Sequence, residues 1–458
     1  MLLRRLGPIT CGLLACAAFS ATDDLTLNDR ATSYLSDLLR LDTSNPPGNE
    51  TRAAEYLRNT LSKYGIASES LGGDSRRLNF IARIKGSGKG GRPLLLFSQS
   101  DTAPVDRAQW GSVDPFSGKV KDGFIYGAGV RSSKALLASE LAVFIEIKRR
   151  NIQLGRDLIL CVEADGAGSS GMQWLLQNQW PKIDAEFALG EGGYSFEADG
   201  RKVHLVQTAE KLPLRVLLST KAGVAGPRQE GPISRLSRAI IRLNEAEPSV
   251  RLNPVTRRYF REIAKLSGNE WLTPLLARIE TPATAVAAMR EMKARNPAFS
   301  ELVHDTIQPL TIRGSSRGAN AGAEALVEVR RLPGLSRDEM LNRLRTAIGD
   351  AGVELALAPG PQVPGAEASS VSSAPFRSMQ ALLTRMHPED LIAPSISVRP
   401  TGNAYLRSRG VGVYGLPLFG DTGDGGPGEK LAVDRLHDGV ELLWQIVLEI
   451  AGERENKT

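Results

Sequence analysis

Two hydrophobic periodicities alternate along this chain. Segments 25–39 and 50–64 carry apolar residues at helical spacing, and each predicts an amphipathic helix. Segment 78–84 alternates as a strand, while 93–98 and 157–162 are short continuous apolar runs, the pattern of central strands buried on both faces. Segments 134–148 and 171–178 read as helices and 184–189 as a further strand. This alternation predicts an α/β sheet with covered faces. The texture changes near Glu210: 212–219 reads as a strand, 233–295 as charge-mottled helix, 326–329 as a strand, 337–349 as a helix and 353–357 as a strand. A stretch rich in Pro, Gly, Ala and Ser at 359–373 follows, and late helices are predicted at 376–386 and 436–451. The pattern is that of a first domain over 25–208 and 360–452, interrupted by an inserted second domain over 209–359. No internal repeat is visible.

The N-terminus adds a compartment. Arg4 and Arg5 precede an apolar stretch, 9–19, too short to span a hydrocarbon core of about 30 Å. Ala18 and Ser20 fit a small-x-small cleavage rule, so residues 1–20 read as a signal peptide. Leu13-Leu14-Ala15-Cys16 also resembles a lipobox, which would make Cys16 a lipidated N-terminus. Export is expected: periplasmic or lipoprotein-anchored if the source is bacterial. The 458 residues carry 57 basic and 51 acidic side chains, for a net +6, with no basic block or aromatic-interleaved patch, so nucleic acid is not an expected partner. The three cysteines, Cys11, Cys16 and Cys161, form neither a disulfide framework nor a zinc-binding spacing. Only four histidines exist, which constrains any site that needs several imidazoles.

A family resemblance rests on residues spread through the mature chain. The run Leu94 to Val105, containing Ser98-Gln99-Ser100-Asp101-Thr102-Ala103-Pro104-Val105, resembles the first metal strand of the M20 metallopeptidase family, whose pattern is G-H-x-D-x-V-P-V. Trp110, Asp114-Pro115-Phe116-Ser117-Gly118, Tyr126-Gly127-Ala128-Gly129, Gly171-Met172-Gln173-Trp174-Leu175-Leu176, Glu191-Gly192-Gly193, Glu210-Lys211, Val329-Arg330-Arg331-Leu332-Pro333-Gly334 and Glu429-Lys430-Leu431-Ala432-Val433 continue it in order. The resemblance implies an α/β catalytic-type domain with a mixed sheet, plus an inserted α/β sandwich lid that commonly mediates dimers. It also implies two zinc ions, a glutamate general base and a histidine contributed by the lid.

Position by position, this sequence departs from that site. The first histidine ligand falls at Gln99, the bridging aspartate at Ser132, the last histidine at Gly425 and the lid histidine at or near Gly223. An amide, a hydroxyl and two glycines supply neither imidazole lone pairs nor charge. The family's D-E-E falls on Glu163-Ala164-Asp165, which puts Ala164 at the general-base position and leaves Asp165 as a remnant metal ligand. A slide of one residue instead puts Asp165 at the base and Gly166 at the ligand. Asp101, the partner of the missing histidine, and Glu191, the fourth ligand, are kept. No cofactor is expected on this count, although the family would bring two zinc ions. In the lid, Asn320 and Arg330 resemble substrate-carboxylate residues, an arginine fork suiting a carboxylate.

Other chemistry is thin. Ser132-Ser133-Lys134 lacks the S-x-x-K spacing, Gly168-Ser169-Ser170-Gly171 is not G-x-S-x-G, and no histidine has a nucleophile near it in sequence. His204 reads as structural, and His304 and His387 as lid and loop-surface residues. Two functional classes follow. One is an exported, non-catalytic M20 homologue that binds a peptide, an acyl-amino acid or a protein, the last including a second copy through the lid or an intact M20 enzyme. The alternative is an active amidohydrolase with an altered single-metal site.

Overall fold

The computed structural model describes residues 25–453 apart from 167–169, 222–229, 316–320, 361, 364 and 421–427. The leader segment with Cys16, and Gly223, Asn320 and Gly425, lie outside the described residues.

A mixed sheet of nine strands among the described residues organises most of the chain. Its order is Ser68–Leu71, Asn79–Ile84, Leu158–Glu163, Leu94–Gln99, Phe187–Gly190, Gly412–Gly415, Arg201–Glu210 and Leu391–Ser397, with Tyr194–Ala198 paired to Arg201–Glu210. The centre is parallel: Leu94–Gln99 runs parallel to both Leu158–Glu163 and Phe187–Gly190, and its residues 94–98 are all buried. This agrees with the continuous apolar runs seen in sequence, since a central strand covered on both faces has no polar side to alternate. One face is covered by Leu27–Leu39, Ala135–Arg149 and Val433–Ala451, whose leucines join a single apolar cluster with Leu94, Leu96, Leu158 and Leu160. The opposite face packs Met172, Leu175 and Leu176 of Ser170–Asn178 against Leu95, Phe97, Ile159 and Cys161.

A second, four-stranded antiparallel sheet runs in the order Thr306–Ser315, Gly322–Arg331, Leu212–Lys221 and Glu354–Leu357. It forms its own core with Leu236, Leu243 and Leu344 from helices Pro232–Glu245 and Arg337–Ile348. The helical segment 233–295 is broken into Pro232–Glu245, Pro254–Ile263, Leu272–Ile279 and Pro282–Arg295, each of the first, second and fourth starting on a proline at its first turn. The last three do not cover the small sheet. Phe260, Ile263, Leu275 and Met292 instead bury against Val203, Leu205, Leu391 and Ala393 of the large one.

Candidate functional site

The parallel strands deliver their C-terminal ends to one place. Gln99 stands opposite Glu163 in the ladder, and Glu191 directly follows the neighbouring strand Phe187–Gly190. The residues after each strand therefore converge at the sheet's carboxyl edge, where α/β folds bind ligands.

Gln99 fills this convergence point. Its Nε2 donates to Glu191 Oε1 at 2.7 Å, and its backbone N–H donates to Ser133 Oγ at 2.7 Å. The side chain lies against the backbone of Gly166, where a Cβ would come within 2.1 Å of Gln99 Cδ. Glu191 is half-buried at the surface of the site, and desolvation of its carboxylate, with Glu210 and Asp101 nearby, raises its pKa to about 7.

Asp165 faces elsewhere. Its backbone is left-handed, with φ +56°, and its Oδ1 accepts from Asn45 Nδ2 at 2.6 Å and pairs with Arg77 Nη2 at 2.8 Å. Ser170 Oγ donates to its other oxygen. Arg77 also reaches the buried Glu50 at 3.5 Å, and Glu50 Oε1 in turn accepts the Asp165 N–H at 3.2 Å. Asp101 accepts the Gly166 N–H at 3.0 Å and Asn45 Nδ2 at 3.4 Å. It therefore anchors the turn after Leu158–Glu163, a task that needs no histidine to orient. Ala164 is buried and its N–H donates to Asn79 Oδ1 at 2.9 Å. Thus Asp101 and Asp165 share Asn45, and Glu191 pairs with Gln99, but the structure does not gather the three acids around a common centre. For Ser132 only the backbone is described, in the single wide turn Val130–Lys134. Arg330 lies on Gly322–Arg331 and pairs with Glu328 at 2.9 Å, within its own sheet.

Several functional neighbours escaped the sequence reading. Asn45 read only as part of a turn and Glu50 as a helix start, and Arg77 was not singled out. Lys134 is fully enclosed, its Nζ donates to the Leu41 carbonyl at 2.8 Å, and burial lowers its pKa to about 8 against the pull of Asp42, Asp101 and Glu429. Glu163 is buried too. Its Oε1 accepts the Met172 N–H at 2.9 Å and burial raises its pKa well above the carboxylate range. No sequence spacing marks these contacts, because each joins segments far apart in the chain.

The donor set does not fit two zinc ions. Zinc pairs require neutral imidazoles and carboxylates, one of them shared. Here the residue at the first ligand position is an amide that donates to Glu191, and Asp165 is paired with Arg77. Among the described residues no three His, Cys, Asp or Glu side chains come together as a metal site.

A family model described as peptidase family M20/M25/M40 matches residues 95–449. The human protein N-fatty-acyl-amino acid synthase/hydrolase PM20D1 is 26% identical over 392 residues, covering 80% of this chain and 75% of that protein. A probable succinyl-diaminopimelate desuccinylase of Staphylococcus aureus is 32% identical over 117 residues, 26% of this chain and 28% of its own. Among solved structures, the M20 family metallo-carboxypeptidase Sso-CP2 from Sulfolobus solfataricus aligns with TM-score 0.66 at 17% identity, over 92% of this chain and 99% of that one. The Bacillus subtilis YXEP protein, a dinuclear metal-binding peptidase from the M20 family, aligns with TM-score 0.58 at 13% identity, over 92% and 98%. At such identities the structural likeness speaks for the fold.

Proposed function

This chain belongs to peptidase family M20/M25/M40, and we propose that it is an exported member whose metal site has become a non-catalytic binding cleft. The observation that carries the reading is the 2.7 Å hydrogen bond from Gln99 to Glu191. It places an N–H donor against the carboxylate that a cation would need, and a donor and a cation cannot share that oxygen's lone pair. The contact with Gly166 supports the alignment that sets Gly166 at the lost glutamate-ligand position and Asp165 at the base position. Asp165 is engaged by Arg77 at 2.8 Å and Asn45 at 2.6 Å, so its Oδ1 already has two donors.

The ligand class we propose is a peptide or an acylated amino acid. The names of two relatives, one a fatty-acyl-amino acid synthase/hydrolase and one a succinyl-diaminopimelate desuccinylase, support it. A protein partner, either a second copy or an intact M20 enzyme, is the other occupant the fold suggests. Export rests on the leader at residues 1–20, and N-terminal sequencing of the mature protein tests it: a chain that keeps Met1 would remove the claim.

The central test is metal content with activity. Purified mature protein, dialysed and analysed for elements, is expected to hold well under one zinc per chain. It is expected not to hydrolyse dipeptides or N-acyl amino acids, and to bind one of them in calorimetric titration. Two tightly held zinc ions would overturn the reading. So would turnover lost on Asp165→Ala, which would instead establish the altered single-metal amidohydrolase.

A further inference from the structure

Strands Tyr194–Ala198 and Arg201–Glu210 form a hairpin whose register sets Ser195 directly opposite His204. The two side chains meet, with Oγ 2.8 Å from Nδ1. The other ring nitrogen, Nε2, lies 3.0 Å from Oδ2 of Asp390, whose Oδ1 accepts the Lys202 N–H at 3.0 Å. Asp390 directly precedes Leu391–Ser397, the strand parallel to Arg201–Glu210, so the sheet itself fixes the acid against the ring. An ionised carboxylate only accepts, which assigns a proton to Nε2 and leaves the neutral ring's lone pair on Nδ1, facing the serine hydroxyl. Burial lowers the His204 pKa below the ordinary imidazole value, with Asp390 pulling the other way. The ring therefore stands in its basic form at neutral pH.

This chain of hydrogen bonds opens onto a cavity. Ser195 and His204 line a pocket of about 520 Å³, within the range that takes a small organic ligand. Leu383, Met386, Leu418, Phe419 and Leu442 provide apolar wall. Arg435 lines the same pocket, near the serine's backbone: a Cβ on Gly420 would come 2.5 Å from Arg435 Nη1 and 3.4 Å from the Ser195 carbonyl oxygen. Gln99, Asp165 and Glu191 do not line this pocket.

We propose that Ser195, His204 and Asp390 form a second active centre, an acyl-transfer site for esters of short- and medium-chain carboxylic acids. Ser195 Oγ bonds to the ester carbonyl carbon as its proton passes to His204 Nδ1. The carbonyl oxygen becomes an oxyanion beside the Arg435 guanidinium, which supplies the opposing charge. Collapse breaks the bond to the alcohol oxygen, and the alcohol leaves with the proton from Nδ1. Water, giving a proton to the same nitrogen, attacks the acyl-serine, and the carboxylic acid departs as Oγ regains its hydrogen. Asp390 is a positioning residue: it fixes the tautomer and offsets the imidazolium charge. Here the base is Nδ1 and the anchored nitrogen Nε2, and these roles depend on geometry and not on which nitrogen fills them. Before substrate arrives the hydroxyl donates to the Pro417 carbonyl at 3.0 Å, so for the attack its single hydrogen turns from that carbonyl to His204 Nδ1. The leucine and phenylalanine wall receives the acyl chain.

The experiment uses the full mature chain with chelator present throughout, so a metal-dependent activity at the family site makes no contribution. Wild-type protein is incubated with a fluorophosphonate probe and mapped by peptide mass spectrometry, and p-nitrophenyl butanoate hydrolysis is followed in parallel. The expected result is a single adduct on Ser195, and hydrolysis lowered at least about 10²-fold in Ser195→Ala. Asp390→Asn is expected to lower kcat by about 10²–10⁴-fold with KM little changed, which a residue that only braces the hairpin would not do. No adduct on Ser195 in folded wild-type protein overturns the proposal, as does undiminished hydrolysis in folded Ser195→Ala. Where Ser195→Ala fails to fold, the wild-type adduct map decides alone.

Discussion

Gln99 and Gly166 are complementary at the level of single atoms. The amide occupies the volume that any side chain at 166 would need, so the two positions must change together. Gly166→Ala is therefore expected to push Gln99 off its 2.7 Å bond to Glu191, at a cost of about 1–3 kcal/mol. Adding Gln99→Ala vacates the space, and the double variant should lose less than the sum of the single ones. Urea unfolding of the four proteins in this cycle checks the coupling; strict additivity would mean the two side positions do not meet. The Glu50, Arg77 and Asp165 group makes the same point about charge. With Glu50 buried and Asp165 mostly enclosed, Arg77 sets one guanidinium between two acids. None of these pairings carries a sequence signal, because no spacing rule links residues 50, 77 and 165.

Among elements, those with a strong single period were legible and those without one were not. The helix read over 25–39 forms as Leu27–Leu39, and the strands read over 93–98 and 157–162 form as Leu94–Gln99 and Leu158–Glu163. The strands Tyr194–Ala198 and Leu391–Ser397 were not assigned, and of Arg201–Glu210 only a β-patterned stretch around His204 was read. Arg201–Glu210 is buried from Val203 to Glu210, and the buried polar residues His204, Gln207, Thr208 and Glu210 interrupt its apolar pattern. That is why His204 looked merely structural: its nucleophile sits across a hairpin that was not recognised. The joint between the two sheets offers a separate test. Lys211 lies between Arg201–Glu210 and Leu212–Lys221, is buried, and has no hydrogen-bond partner for Nζ among the described residues. Burial lowers its pKa from 10.5 to about 8, against the attraction of Glu301 and Asp305. The folded state then binds fewer protons than the unfolded one between those values, so stability should rise with pH from about 8 to 10.5. Lys211→Met should abolish that rise and add about 1–3 kcal/mol at neutral pH. Denaturant midpoints measured across this range check it, and a flat wild-type profile would show that the ammonium is not penalised.

For the whole molecule, the fold rests on the two sheets and their helical layers, and in the reading proposed above it does so without a zinc pair. The loops at the sheet's carboxyl edge are tied by hydrogen bonds instead: Gly166 to Asp101, Asn45 to Asp165 and Gly129 to Glu429 at 3.0 Å. A site rebuilt for zinc must therefore change several loops at once. Gln99→His, Ser132→Asp, Asp165→Glu, Gly166→Glu and Gly425→His together are expected to recover zinc binding, measured by elemental analysis and chelator competition. Any one alone is expected not to, because one ligand cannot offset the desolvation of a dication. Full zinc loading of the Gln99→His single variant would contradict this account.

The sequence by itself determined the α/β class, the family, and the chemical identity of the residues that the family resemblance sets at its ligand positions. Those follow from periodicity and from residue types, both written locally. It did not determine which of two registers applied around Asp165, because the alternatives differ by one residue and the flanks fit either. The structure adds one contact to that choice: a Cβ at Gly166 would meet the Gln99 side chain, which supports, within the proposed reading, the register that sets Gly166 at the ligand position. Nor did sequence say that helices Pro254–Ile263, Leu272–Ile279 and Pro282–Arg295 cover the large sheet, because an amphipathic face does not name its partner. The Ser195, His204 and Asp390 arrangement was equally a matter for the folded chain: Asp390 lies 186 residues from His204 in sequence and 3.0 Å from its ring in space, and only the pairing of strands closes that distance.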